Sequence, residues 1–140
     1  MPQAERCLRV AAGLLTRDGR VFLARRGPHG PCAGLWEFPG GKCHDGEDLG
    51  ACLKREMAEE LGLLVEVGEV VGRVSHDYGC YTVDLHLLRV FSSNGEPKAL
   101  ECAEWRWVFF PDEVLGMELC PADRRVVEGM SFQGLAGRKG

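Results

Sequence analysis

The sequence predicts an α/β (α+β) fold, a mixed β-sheet with helices on both faces. Three observations point there. Short apolar runs rich in Val, Leu and aromatics are bounded by Gly, Pro and Asp turn signals. One long amphipathic helix interrupts them at 49–61, and a second helix follows the last run. The order lacks a regular β-α-β-α rhythm, and hairpin signals coexist with the long crossover helix, so the sheet is expected to be mixed rather than parallel.

CLRVAAGLL (7–15) and VFLAR (21–25) read as two strands, with Asp18-Gly19 between them as a hairpin turn. RRGPHGPCAG (25–34) reads as loop. LWEFPGGK is a short apolar piece broken at Pro39 and the Gly40-Gly41 pair. Asp48 is a candidate N-cap. Leu49, Leu53, Met57 and Leu61 recur every four residues as a buried stripe, and Gly62 can end the helix. Gly50 inside it costs about 1 kcal/mol relative to Ala. VEVGEVVGRVSH is β-rich. In YTVDLHLL, Tyr81, Val83, Leu85 and Leu87 alternate with Thr82, Asp84 and His86, the pattern of a half-buried strand. SSNGEPKALE is a polar connection and WRWVFF the last strand. Pro111-Asp112 turns into a short helical piece. PADRRVVEGM is a final helix with Val126, Val127 and Met130 inward, before a loose tail.

The 140 residues suit one domain spanning 1–140, with 45% hydrophobic and 27% charged residues. A net charge of −4 gives no basic surface for a nucleic-acid polymer or an anionic membrane. The N-terminal segment lacks an apolar core for a signal peptide or a membrane span. Seven cysteines (Cys7, Cys32, Cys43, Cys52, Cys80, Cys102, Cys120) are an odd number without C-x-x-C spacing, which argues against a zinc ribbon and for reduced thiols in the cytoplasm. His29, His44, His76 and His86 form no H-E-x-x-H pair.

The chemistry concentrates on the long helix. Residues three and four apart share a face, so Glu56 lies beside Glu59 and Glu60, at the edge of the stripe formed by Leu53, Met57 and Leu61. Like charges so placed repel. A hard divalent cation, which takes oxygen ligands, removes that repulsion. A solvated acidic face paired with Lys54 and Arg55 is the other reading of three glutamates taken alone. The wider register decides. Gly41, Glu47, Arg55, Glu56, Met57, Glu59, Glu60, Gly62 and Leu63 fit G-x5-E-x7-R-E-U-x-E-E-x-G-U, U being apolar. This pattern resembles the Nudix hydrolase box at every specified position. GLWEFPGGK, the Glu101-to-Trp107 spacing and Pro121-Ala122-Asp123 resemble further elements of the MutT-like branch, so the likeness runs from Leu8 to about Met130.

The resemblance implies the Nudix fold, with the box as a loop–helix–loop. It implies Glu56, Glu59 and Glu60 as ligands of Mg²⁺ or Mn²⁺, with the Gly41 carbonyl and Glu101 as further ligands. Arg55 pairs with the box glutamates and orients them, and Glu47 pairs with Arg55. The general base is Glu56 or Glu101. Arg26 matches a phosphate-contacting arginine, and Lys42 can also meet phosphate. The family's histidine in the 25–34 loop falls here on Pro31, with His29 out of register. Phe38 lines the base pocket. Asp123 reads the base as part of the family's P-A-N or P-A-D element, a carboxylate where the P-A-N form has an amide, or caps the last helix. Cys32 and Cys43 flank the site, but the chemistry does not require them.

The implied activity is metal-dependent hydrolysis of a (deoxy)nucleoside triphosphate to monophosphate and pyrophosphate, on 8-oxo-dGTP in nucleotide-pool sanitation and DNA repair, or on CTP and modified dCTP. Alternatives are another nucleoside diphosphate derivative such as ADP-ribose, or a nucleotide sensor without turnover. The partner is a small nucleotide, and the protein is expected as a monomer or homodimer.

Overall fold

The computed structural model describes residues 6–92, 95–98 and 104–130. The expected tail at 131–140, much of the 92–101 connection and Glu101 itself lie outside the described residues. Ten elements follow in order: β1 (Cys7–Arg17), β2 (Arg20–Arg25), β3 (Trp36–Glu37), β4 (Gly40–Lys42), α1 (Leu49–Leu61), β5 (Val65–Asp77), β6 (Thr82–Ser92), β7 (Glu104–Phe109), α2 (Asp112–Leu115) and α3 (Pro121–Glu128).

β1 is the centre of the sheet. It runs parallel to β6 from Cys7↔Thr82 to Leu15↔Val90, and antiparallel to β4 from Val10↔Lys42 to Ala12↔Gly40. Its far end turns through Asp18 and Gly19, both at positive φ, into β2. β2 then carries β7 and β3 antiparallel, while β5 pairs β6 on the other edge. The sheet is mixed, as the irregular order of elements predicts.

Both faces of β1 are covered. Ala11 and Leu15 pack with Cys52, Leu53, Met57 and Leu61 of α1, and with Phe22, Leu88 and Val90. Ala12 and Leu14 pack on the opposite face with Leu85, Leu87, Val114 of α2, and Ala122, Val126 and Val127 of α3. Cover on both faces explains why β1 reads as a continuous apolar run instead of an alternating one. Gly13 shares the α1 face. A Cβ there would meet Val90 Cγ2 at 2.9 Å and Leu53 at 3.6 Å, so its absence lets the helix lie close.

The helix ends follow the local chemistry. Asp48 caps α1, its carboxylate accepting from the Ala51 N–H. Gly62 ends it at φ 65, donating back to the last turn. Leu53, Met57 and Leu61 are buried, Leu49 only partly, and Cys52 joins the stripe.

Two expectations are corrected. Gly40-Gly41-Lys42 does not break the chain but pairs with β1 as β4. Gly40 sits at φ 151, where a Cβ would lie 2.1 Å from the Ala11 carbonyl oxygen, so the close approach requires glycine. β6 is not half-buried in its middle. Leu85, His86, Leu87 and Leu88 are all buried, because α3 covers one face and α1 the other. His86 meets Asp84 there, Nε2 to Oδ2 at 3.3 Å. Among the described residues no helix is long and apolar enough to cross a membrane.

Leu53 is fully buried beneath Gly13. Leu53→Ala is expected to cost about 2–5 kcal/mol. Urea unfolding checks this: the midpoint should fall with the denaturant slope unchanged.

Candidate active site

Arg55 organises one end of a cleft. Its Nε and Nη2 fork onto Glu47, at 3.0 Å to Oε2 and 3.0 Å to Oε1. Nη1 donates to Glu56 Oε2 at 2.8 Å and to Glu59 Oε1 at 3.3 Å, and Nη2 also reaches the Lys42 carbonyl at 3.1 Å. One guanidinium thus ties the loop before α1 and strand β4 to two glutamates of the helix. A planar fork can do this where a lysine cannot. The bonds from Arg55, helped by the His44 N–H, hold the Glu47 carboxyl down at about 2. The Arg55 charge is correspondingly stabilised, first by its bonds to Glu47, against the cost of desolvation.

The glycines set the depth of this end. A Cβ on Gly41 would lie 2.3 Å from the Glu56 carboxylate, so the acid rests directly on β4. The Gly41 carbonyl accepts from the Cys52 thiol at 3.6 Å. Gly40 N–H donates to Glu60 Oε1 at 3.4 Å. Glu56, Glu59 and Glu60 therefore line one wall of the cleft, as their helical spacing predicts. Their ligand atoms are spread along it, not gathered: repulsion separates them and Arg55 holds two. Lys42 is exposed at the mouth.

The cleft encloses about 800 Å³ and extends from these glutamates to Phe38, Tyr78 and Asp123. Its far end is assembled by β3. The Trp36 N–H bonds the Glu118 carbonyl and the Cys120 N–H bonds the Trp36 carbonyl, which seats the start of α3 beside Phe38. Asp123 is buried and its Oδ2 accepts from the Phe38 N–H at 3.0 Å. It does not cap α3. Cys120 holds the N-cap position, and Asp123 lies in the first turn with its carboxyl turned to β3. Burial, then the charge of Glu37, raises its pKa to about 8, with the Phe38 N–H opposing.

Arg26 reaches the cleft, but its guanidinium is engaged. Nη1 bonds both Glu37 oxygens at 3.1 and 3.2 Å, and Nε bonds the Pro31 carbonyl at 2.9 Å. Burial raises the Glu37 carboxyl, with Arg26 opposing. Among the described residues, the tight cluster of possible ligand atoms is Glu37, Cys120 and Asp123, within 4.8 Å of one another. The adjacent Arg26 charge and the upward shifts of all three acids favour protons there over a cation.

Sequence reasoning missed Glu37, Tyr78, Tyr81 and Cys120 in this wall. Tyr78 accepts from the Ala122 N–H at 3.0 Å and stacks on Tyr81 with centroids 5.5 Å apart. Two tyrosines bracketing Gly79 at a strand end were the available signal. Glu101 is outside the described residues. Trp107 lies against Phe22 and beneath Arg17, on β7.

An arginine-braced acidic helix under a mixed sheet, facing a cleft with an aromatic far end, defines a class of hydrolase site. A model of the NUDIX domain matches residues 10–129, and the chain belongs to the Nudix family. It is 36% identical over 121 residues to the CTP pyrophosphohydrolase of Escherichia coli, covering 86% of this chain and 89% of that one. It is 32% identical over 105 residues to the 8-oxo-dGTP diphosphatase of Haemophilus influenzae, covering 74% and 77%. The solution structure of the E. coli ORF135 protein superposes with a TM-score of 0.81 at 35% identity, covering 97% of this chain and 96% of that one.

The sign of the Asp123 shift makes a pH prediction. A carboxyl whose folded pKa exceeds its unfolded value stabilises the fold fully below the unfolded value and loses that contribution as pH rises toward about 8. Asp123→Asn should therefore unfold with a flatter dependence between pH 4 and 8, measured as the difference from wild type in urea midpoints. Equal slopes for the two proteins would show that Asp123 is ionised across that range.

Proposed function

We propose that this chain hydrolyses a nucleoside triphosphate to nucleoside monophosphate and pyrophosphate, with Mg²⁺ as the physiological ion. The observation that carries the reading is the two-ended cleft, acidic over Glu56, Glu59 and Glu60 and aromatic around Phe38 and Tyr78. A polyphosphate needs positive charge at the first end, and a base needs apolar and hydrogen-bonding walls at the second. The names of the E. coli and H. influenzae relatives support it.

The donor set fits a hard divalent cation. Three carboxylates with a close-lying glycine backbone supply only oxygen, and the space that a Gly41 Cβ would fill is taken by Glu56. Glu56, Glu59, Glu60 and the Gly41 carbonyl would hold the ion, with Glu101 joining them. When bound, it supplies charge neutralisation at the phosphates and a lower pKa for the attacking water. Arg55 keeps Glu56 and Glu59 aimed at the cleft, and Glu47 keeps Arg55 in place. Glu56 or Glu101 takes the proton from water. Lys42 faces the phosphates. Arg26, held by Glu37, positions that acid at the base end.

At the base end Asp123, with its pKa near 8, keeps a proton at neutral pH and so can donate as well as accept. That suits cytosine triphosphates and 8-oxo-dGTP alike. A steady-state panel of canonical and oxidised triphosphates, with ADP-ribose included, separates them by rate and by product. Release of pyrophosphate is expected; orthophosphate as sole product would contradict the proposed bond cleavage.

Glu59→Gln and Glu60→Gln are each expected to lower kcat at least about 100-fold with the circular-dichroism spectrum retained. Near-normal turnover would remove these residues from the ion site. Millimolar Mg²⁺ should raise Tm by roughly a few degrees in wild type. Differential scanning calorimetry should show that rise lost in the double Gln variant.

A further inference from the structure

Tyr78 opens the turn between β5 and β6 and reaches back to the start of α3. The turn fixes its backbone. The Tyr78 N–H bonds the Tyr81 carbonyl at 2.8 Å, and the Gly79 N–H bonds the Asp77 carboxylate at 2.7 Å. Two rings hold its own ring: His76, crossing at 65° with centroids 4.5 Å apart, and the stacked Tyr81. The hydroxyl accepts from the Ala122 N–H at 3.0 Å, a first-turn donor of α3 that the N-cap residue Cys120 leaves without a side-chain partner. The Cys32 thiol reaches the same oxygen at 3.9 Å. Tyr78 and both of these partners line the cleft, so the hydroxyl sits in its wall, beside the residue that carries Asp123.

A phenol oxygen accepts through its lone pairs and donates its one proton. Both contacts seen here give to that oxygen, one from an amide N–H and one from a thiol. The proton of the hydroxyl is left over, and among the described residues no further bond takes it. The open side of the oxygen is the cleft. We propose that Tyr78 is a specificity-determining residue, whose hydroxyl donates a hydrogen bond to an exocyclic oxygen of the substrate base. The inference rests on the proposed function, which places the base at this end of the cleft.

Two further observations support a donor at this place. Burial holds the phenol above its ordinary range, with the Ala122 N–H opposing, so the proton stays on oxygen across neutral pH. The donor is also set in advance: backbone, ring and oxygen are each held by the chain itself, and little freedom is lost when a partner arrives. The chemistry defines what suits it. A base carbonyl accepts from a hydroxyl, and an exocyclic amine is a donor that does not match it. The oxygen of cytosine and the two oxygens of 8-oxoguanine qualify, whereas adenine has none.

The test crosses one variant with matched substrates. Wild type and Tyr78→Phe, which keeps the ring, are assayed on CTP and 2-thio-CTP, on dGTP and 6-thio-dGTP, and on 8-oxo-dGTP and dGTP. Within each pair the second member lacks a base oxygen or has a sulfur there, a weak acceptor. In one pair Tyr78→Phe is expected to raise KM roughly tenfold on the oxygen-bearing member, with kcat kept, and to leave the other member unchanged. Loss of the Ala122 bond alone would act on both members alike, because it does not depend on the base. An equal rise within every pair overturns the proposal, as does no rise at all. A loss that follows CTP against dCTP assigns the donor to the sugar and also overturns it. Should Tyr78→Phe lose its circular-dichroism signal, the pairs are compared in wild type: a preference for the oxygen-bearing member supports the bond, and equal KM in every pair overturns it. Failure of the proposed function is read separately, as no turnover by wild type; the same pairs are then compared as Kd by isothermal titration calorimetry, with the same outcomes deciding.

Discussion

The fork between Arg55 and Glu47 is the contact on which the site depends. Glu47 belongs to the loop before α1 and Arg55 to its second turn, so the pair closes the loop onto the helix. From that fixed guanidinium, separate bonds reach Glu56, Glu59 and the carbonyl of Lys42 on β4. Without it, neighbouring carboxylates on one helical face would repel and turn to solvent. With it, two are aimed at the cleft and the helix is locked to the strand that carries Gly40 and Gly41. The glycines complete the constraint, because any side chain at Gly41 would occupy the place of the Glu56 carboxylate.

The second constraint is the covering of β1 on both faces. α1 lies on the side of Ala11, Gly13 and Leu15, and α3 on the side of Ala12 and Leu14. The acidic wall comes from the first helix and Asp123 from the second, so the sheet between them sets the span of the cleft. Small residues at Ala11, Ala12 and Gly13 let both layers approach. The same double cover buries His86, which a strand with one wet face would have exposed. A rigid frame holds the ends of the cleft apart, and the loop between β2 and β3 closes over one of them.

The base end combines apolar burial with carboxyl groups shifted upward. Asp123 and Glu37 are both raised by desolvation, and Arg26 opposes the rise at both, through direct bonds only at Glu37. The two ends of one cleft therefore treat carboxyl groups in opposite ways. Near Arg55 the Glu47 carboxylate is held ionised to about pH 2, while near Phe38 a carboxyl is held neutral to about pH 8. The difference is one of partners. A forked guanidinium offsets desolvation, and backbone N–H groups with a more distant arginine do not.

The box, the helix and its caps were legible in the sequence, because each lies within one window. The 3.6-residue period places Glu56, Glu59 and Glu60 on a face, and Asp48 and Gly62 mark the ends by their own side-chain and backbone preferences. The resemblance to the family's box also paired Arg55 with Glu47. The far end of the cleft was not legible. Asp123 was visible as a candidate, but its bond to Phe38 spans 85 positions in the chain. Tyr78 and Glu37 likewise come together only when β3 seats α3 and β5 ends beside them. Local periodicity is a property of the chain. Burial, and with it the protonation of Asp123, is a property of what packs around the group, and that was decided by the tertiary structure.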